Sequence, residues 1–232
     1  MHPAPSRSRL IAVVLLACAA AAGGAQAGDA PKTKLRMVGP AGHVTEVHLV
    51  VGKTDTTIET FPTPQQVMGS GVSVSGHWAF VWHVAHPPQA LAIYDLTNNQ
   101  RVASFDPGFP GDLRWTHGDT LLHTWGCGTS CQVFRIYDTK GTVILEGSGG
   151  MHSESPSMRF MITGPATSGA SGDIQLVDLQ AAQTVSVTKA PAPGMAVVGQ
   201  RWDEAHQRVE VKLGGAGGDG AGATSVTIPL PQ

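Results

Sequence analysis

The sequence predicts an all-β chain assembled from repeated sheets, and three observations carry the prediction. Ile93-Tyr94-Asp95-Leu96, Arg135-Ile136-Tyr137-Asp138 and Leu176-Val177-Asp178-Leu179 are near-identical phrases whose aspartates lie 43 and 40 residues apart. Between them the apolar residues fall in short strand-like runs, with no helical periodicity. The 29 glycines, 16 prolines and low charged fraction of 14% suit many tight turns. Self-similarity at about 40 residues with short strands is what a chain of four-stranded blades produces. The expected fold is therefore a small β-propeller-like array of about five four-stranded units, with a β-sandwich or barrel of the same strand spacing as the alternative.

Taken in order, the chain opens with residues 1–27 as a secretory signal peptide. Arg7 and Arg9 form its positive region, Leu10 to Ala22 its apolar core, and Ala25-Gln26-Ala27 its small-x-small cleavage site. The apolar run ends at Gly23 and Gly24, short of the roughly 20 residues of a spanning helix, so no transmembrane helix is expected. Leu15-Leu16-Ala17-Cys18 also resembles a bacterial lipoprotein box, which would put a lipid anchor on Cys18, although Leu16 departs from the usual residue at its position. Cleavage after Ala27 leaves 28–232, read as a single domain with a core of its own.

Val44 to Val51 and Thr56 to Phe61, joined through Lys53-Thr54-Asp55, read as the hairpin of a first unit. In the second, Ser75-Gly76-His77 leads into Trp78 to Trp82. His86-Pro87-Pro88 then breaks the chain, Leu91 to Tyr94 follows, and Thr97-Asn98-Asn99-Gln100 turns it toward Val102 and Phe105. The third repeats the layout with Leu121 to Trp125, a cysteine-bounded turn, Gln132 to Tyr137, a turn at 138–141 and Val143-Ile144-Leu145. Trp82 and Asp95, like Trp125 and Asp138, are 13 residues apart, so alignment on the tryptophans puts His123 at the Phe80 position. Phe160 to Thr163 and Ile174 to Leu179 supply a fourth unit. Val197 to Leu213 and Val226 to Leu230 supply the last, with 214–225 as a Gly-rich excursion. Ring closure would bring Val226-Thr227-Ile228 beside the N-terminal strands.

An aromatic-aspartate pair ending the third strand of a unit resembles the tryptophan-aspartate repeat and related bacterial propellers over about residues 70–190. Tyr94-Asp95 and Tyr137-Asp138 carry the likeness, Val177 replaces the aromatic residue in the third phrase, and Gly76-His77 echoes the family's Gly-His pair. The resemblance implies blades and says nothing of chemistry, because such scaffolds host unrelated functions. The residues themselves indicate a structural use for Asp95, Asp138 and Asp178, since a carboxylate opening a turn can accept the N–H groups of that turn.

Cys127 and Cys131 are the only thiols left after cleavage, and export places them where disulfides persist. They are read as a disulfide across a β-turn. A redox pair is disfavoured because Cys-x-x-x-Cys between strands lacks the helix start that lowers a thiol pKa. Copper capture by the two thiols with His123 is a further option, on a spacing that resembles that of copper-delivery proteins. Nine histidines remain in the mature chain. His83 and His86 straddle a strand end, and His117, with Asp112 and Asp119, could join them if the loops gather on one rim. His123 is expected to be buried and hydrogen-bonded. Along Trp78 to His83, the Trp78, Phe80 and Trp82 face is expected to be the core face.

Three catalytic motifs are absent: no Gly-x-Ser-x-Gly, no phosphate-cradling Gly-x-x-x-x-Gly-Lys and no His-Glu-x-x-His. Removing the leader takes the formal charge from −2 to −4, so nothing basic is available to track phosphates and nucleic acid is not an expected partner. No cofactor is expected. The reading is an exported, periplasmic or secreted, non-catalytic protein that binds another exported protein or a glycan. The alternatives are a periplasmic metal carrier using His83, His86, His117 or His123, and a hydrolase assembled from scattered loops.

Overall fold

The computed structural model describes residues 33–84, 89–128, 131–150, 152–165, 173–192, 194–215 and 223–232. The leader, with Cys18, lies outside them, as do His86 and Thr129-Ser130. Among the described residues, seventeen strands, all paired antiparallel, form five layers in chain order. The first layer is β1 (Thr33–Val38), β2 (Val44–Val51) and the first half of β3 (Thr54–Val72). The second half of β3 begins layer two with β4 (Trp78–Val84), β5 (Gln89–Asp95) and β6 (Gln100–Phe105). Layer three is β7 (Asp112–Trp115), β8 (Leu121–Gly128), β9 (Cys131–Tyr137) and β10 (Val143–Gly149). Layer four is β11 (His152–Glu154), β12 (Phe160–Thr163), β13 (Asp173–Asp178) and β14 (Gln183–Lys189). Layer five is β15 (Met195–Asp203), β16 (Arg208–Gly215) and β17 (Thr224–Pro229).

The architecture is thus all-β and propeller-like, with three inner layers of four strands and end layers of three. Three apolar strands of one layer cannot bury two faces alone, and the layers solve this by stacking. Four clusters of buried residues lie between successive layers. Val47, Phe61 and Tyr94 join layers one and two, and Phe80, Trp82 and Leu121 join two and three. Leu122, Phe134 and Val177 join three and four, and Ile174, Leu176 and Val209 join four and five. Inner strands therefore bury both faces. On β4, Phe80 and Trp82 face layer three while Val81 and His83 face layer one, so the expectation of a single tryptophan core face is corrected. The two end layers turn polar faces outward: Arg36, Glu46, His48 and Asp55 on one, Arg201, Glu210 and Thr227 on the other. Polar outer faces terminate stacked arrays. β17 pairs with β16 and β1 with β2, so Val226-Thr227-Ile228 does not add to the N-terminal strands as ring closure required.

Two further differences have local causes. β1 carried no motif in the sequence. β3 continues through Pro62 and Pro64, past the strand end expected at Phe61. The pairing of β2 skips from Thr60 to Gln65, and Gln66 already pairs with Val84 of β4. The prolines occupy the unpaired stretch, where a missing N–H costs no ladder bond, and the strand changes sheet there.

The repeated aspartates act as expected. Asp95 accepts the Thr97 N–H at 2.8 Å, Asp138 those of Lys140 at 2.9 Å and Thr142 at 2.8 Å, and Asp178 those of Gln180 at 2.8 Å and Ala181 at 2.9 Å. A second latch closes the neighbouring hairpins at the same end of the layers. The Ser73 Oγ accepts the Trp78 N–H at 3.2 Å, the Ser155 Oγ that of Phe160 at 3.1 Å, and Thr116 Oγ1 lies 2.7 Å from Thr120 Oγ1. Three residues after each of these hydroxyls the backbone enters the left-handed region, at Gly76 (φ 75°), Asp119 (φ 56°) and Met158 (φ 56°).

Candidate functional site

The antiparallel layout gives the layers two rims. One carries the turns that open β4, β8 and β12 together with the aspartate turns. The other carries the loops after β4 and β8 and the connections between layers. His117 is exposed in the turn that opens β8, on the first rim, whereas His83 lies at the far end of β4 on the second. The topology therefore separates His83 from His117 and splits Asp112 from His117 and Asp119, because β7 runs between them. His83 is 8% exposed, packs its ring 4.8 Å from that of Phe61, and titrates below the ordinary histidine value because burial disfavours its charge. His86 lies outside the described residues. Trp115 is buried and donates from its indole nitrogen to the Gly71 carbonyl at 3.2 Å. Among the described residues no cluster of three His, Cys, Asp or Glu side chains could hold a metal ion.

Strand pairing overturns the alignment on the tryptophans. With Asp95 superposed on Asp138, Leu91 matches Phe134. Leu91 pairs with Trp82, but Phe134 pairs with Thr124. β8 is one residue out of step, and a one-residue slip exchanges the faces of a strand. His123 therefore matches Val81, and Trp125 matches His83. Both point back toward layer two rather than forward. His123 is fully buried, 4.7 Å from the Trp125 ring, 5.9 Å from Trp82 and 6.4 Å from Tyr137. Among the described residues neither ring nitrogen makes a well-formed hydrogen bond, although the Phe109 backbone lies near the ring, which corrects the expectation of a firmly hydrogen-bonded histidine. Burial pushes its pKa down to about 4. The neighbouring Phe109 carbonyl acts in the other direction.

Cys127 and Cys131 form the expected disulfide, their Cα atoms 5.1 Å apart at the end of the β8–β9 hairpin. Both sulfurs are consumed, so the copper set with His123 is not assembled.

The feature that gathers most at this rim was not singled out in the sequence. The connection from β6 to β7 carries Phe109, 55% exposed, whose ring stacks on Trp125 at 5.7 Å with planes 16° apart. The Arg135 guanidinium lies 5.1 Å from the Trp125 ring and is held by the Glu146 carboxylate. The connection is fixed by the Gly108 N–H donated to Asp106 at 2.8 Å and by the Gln89 amide donated to the Gly108 carbonyl at 2.9 Å. Gly111 must be glycine, because a Cβ there would meet the Thr124 carbonyl oxygen at 2.2 Å. Beside this shelf lies a cleft of about 440 Å³ lined by Pro110, Asp112, Thr124, Trp125, Gly126 and Gln132. The sequence cue was an aromatic residue between Gly108 and Pro110 in a connection, where an apolar side chain has no core to enter.

Among the described residues no helix is long and apolar enough to cross a membrane, which does not bear on strand-built spans. No protein-family model matches the chain, and no curated protein does. Solved structures similar to it include hydrazine synthase of Kuenenia stuttgartiensis, at 12% identity over 92% of this chain and 70% of that one, with a TM-score of 0.39. TolB from Acinetobacter baumannii is similar at 13% identity over 80% of this chain and 46% of its own, TM-score 0.36. An acylaminoacyl peptidase of Pyrococcus horikoshii is similar at 12% identity over 72% of this chain, TM-score 0.40, and this chain spans 31% of its length. The propeller-like description rests on the chain's own sheets.

Proposed function

We propose that this chain is an exported, non-catalytic recognition protein of the periplasm or extracellular space that engages its partner through the rim bearing Phe109 and the disulfide hairpin. The observation that carries the reading is the shelf itself. A large apolar side chain is held out in solvent on a braced connection, stacked on a tryptophan that is buried beneath it, with a cleft alongside. A folded chain keeps such a group exposed at little benefit to its own stability, and aromatic anchors of this kind dominate binding surfaces. Export is supported by the leader-like sequence of 1–27 and by a disulfide, which persists outside the reducing cytosol.

The test is capture of envelope material by immobilised mature protein, compared among wild type, Phe109→Ala and His117→Ala. The reading expects material retained by wild type and by His117→Ala and lost from Phe109→Ala. Equal retention by all three would place recognition elsewhere. Sequencing the N-terminus of the exported form separates cleavage before Gly28 from acylation at Cys18.

A further inference from the structure

We infer that the free edge of β17 takes an extended segment of a partner polypeptide as the fourth strand of layer five, a contact separate from the rim bearing Phe109. In layers two, three and four the third strand pairs outward with β6, β10 and β14 in turn, whereas β17, the third strand of layer five, ends its sheet. The shortfall shows in burial. Ile93, Ile136 and Leu176 on the third strands of layers two to four are 0% exposed, and Val226 on β17 is only partly buried. Layer four nevertheless keeps its own fourth strand, β14, whose Val185 packs at the margin of the cluster shared with layer five. A place one strand wide is therefore left beside β17 and over β14. It is marked by a mainly apolar cleft of about 310 Å³ lined by Leu176, Val185, Ser186, Pro229, Leu230 and Pro231.

The backbone of this edge is open and its phase is fixed. The Leu230 N–H donates to the Gln207 carbonyl at 2.8 Å, beside the Pro229–Arg208 pair, so Leu230, Ile228 and Val226 turn their N–H and carbonyl groups to β16. Ser225 and Thr227 therefore turn an N–H and a carbonyl each to the open side, and Pro229 a carbonyl, its missing donor falling where the ladder with β16 does not need it. Charge does not guard this edge. β6, β10 and β14, the outer edges of layers two to four, carry Arg101, Glu146 and Lys189, and every other edge strand among the described residues also carries a charge, but β17 reads Thr-Ser-Val-Thr-Ile-Pro. An uncharged free edge is a template for strand addition.

The place fits one strand and not a second copy. Two copies joined antiparallel through β17 are related by a dyad perpendicular to the shared sheet, so each copy's β14 would claim the space beneath the other's β17. The chain's own neighbouring groups are committed. β16 and β17 pair from Arg208 opposite Pro229 to Leu213 opposite Thr224, and the Gln232 carbonyl accepts from the Arg159 guanidinium at 3.1 Å. The fitting occupant is an extended segment matching the 6 residues of β17, with uncharged apolar side chains at alternate positions over the cleft and polar ones between them, facing solvent beside Thr227. It has no proline at its centre, where it must donate to the β17 carbonyls.

The experiment pans the mature protein against a phage-displayed library of random heptapeptides and titrates the enriched peptides in synthetic form, with amide exchange of the protein read residue by residue. Enriched peptides are expected to alternate apolar and polar residues. Binding is expected to slow exchange at Ser225 and Thr227, which is fast in the free protein. Thr227→Pro removes one outward N–H and no bond to β16, and Ser186→Trp fills the cleft without touching β17. Each is expected to weaken binding about tenfold or more, while His117→Ala leaves it unchanged. A thermal melt unchanged from wild type shows that the variants fold, and Ser186→Trp decides the matter if Thr227→Pro does not. No enriched peptide, enriched peptides without alternation, affinity indifferent to both substitutions, or Ser225 and Thr227 amides already protected in the free protein would overturn the inference.

Discussion

Lowering the pH should destabilise this protein through a single buried side chain, and the size of the effect follows from its surroundings. His123 is fully buried among Trp82, Trp125 and Tyr137 with neither nitrogen in a well-formed hydrogen bond, and burial takes its pKa from 6.5 to about 4. In the unfolded chain it titrates near the ordinary value, so between these values the unfolded state binds more protons and stability falls with pH. The contribution is complete above pH 6.5 and is lost as pH drops toward 4. At 1.36 kcal/mol per unit, the loss relative to pH 8 is about 2 kcal/mol at pH 5 and approaches about 3 kcal/mol below pH 4. For a domain of this size, about 2 kcal/mol lowers the melting temperature by roughly 4–8 °C.

His83 and His152 shift in the same direction through burial. His48 acts oppositely: hydrogen bonds to Glu46 and Asp55 raise its pKa, so its contribution is present below 6.5 and lost as pH rises through the folded value. The assay therefore compares urea unfolding of wild type and His123→Leu, a side chain of similar volume, from pH 8 to pH 5. The difference between the two proteins cancels the other groups. Wild type is expected to lose about 2 kcal/mol more than the variant over that range. Identical pH slopes would refute the assignment of a neutral, buried His123.

Other expectations come from the turns and the crosslink. Asp138→Ala strips acceptors from two turn N–H groups and should cost about 1–3 kcal/mol in denaturant unfolding, with Asp138→Asn in between. Met158 holds φ at 56° where the matching residue of layer two is Gly76, so Met158→Gly should stabilise by about 1 kcal/mol in thermal melts. Reducing the Cys127–Cys131 bridge should cost only about 2 kcal/mol and leave the far-ultraviolet dichroism of the sheets intact, because the loop it closes is so short.

What was legible in the sequence was local. The aspartate turns could be read because acceptor and donors lie within four residues of one another, and the strands around them because their apolar runs are short and bounded. The face of β8 could not be read. Its tryptophan keeps the spacing of the layer above while its pairing with β9 shifts by one, and only the ladder records that shift. β3 runs past its expected end at Phe61, and Pro62 and Pro64 sit where the strand passes from one sheet to the next, a change of partner with no local signature. The candidate metal set failed for a topological reason: His83 and His117 are loop-proximal in sequence but belong to opposite rims. Phe109 went unnoticed because one aromatic residue in a connection has no partner in sequence, and Trp125 becomes its partner only when layer three folds.

The most direct test of the recognition rim is site-specific photocrosslinking in the living envelope, with a photoreactive phenylalanine analogue at position 109 and, separately, at position 117. A specific adduct from position 109 with none from position 117 is the expected result, and a glycan adduct would identify the ligand class at the same time. An adduct from position 117 alone, or equal labelling from both, would contradict the assignment of function to the Phe109 rim.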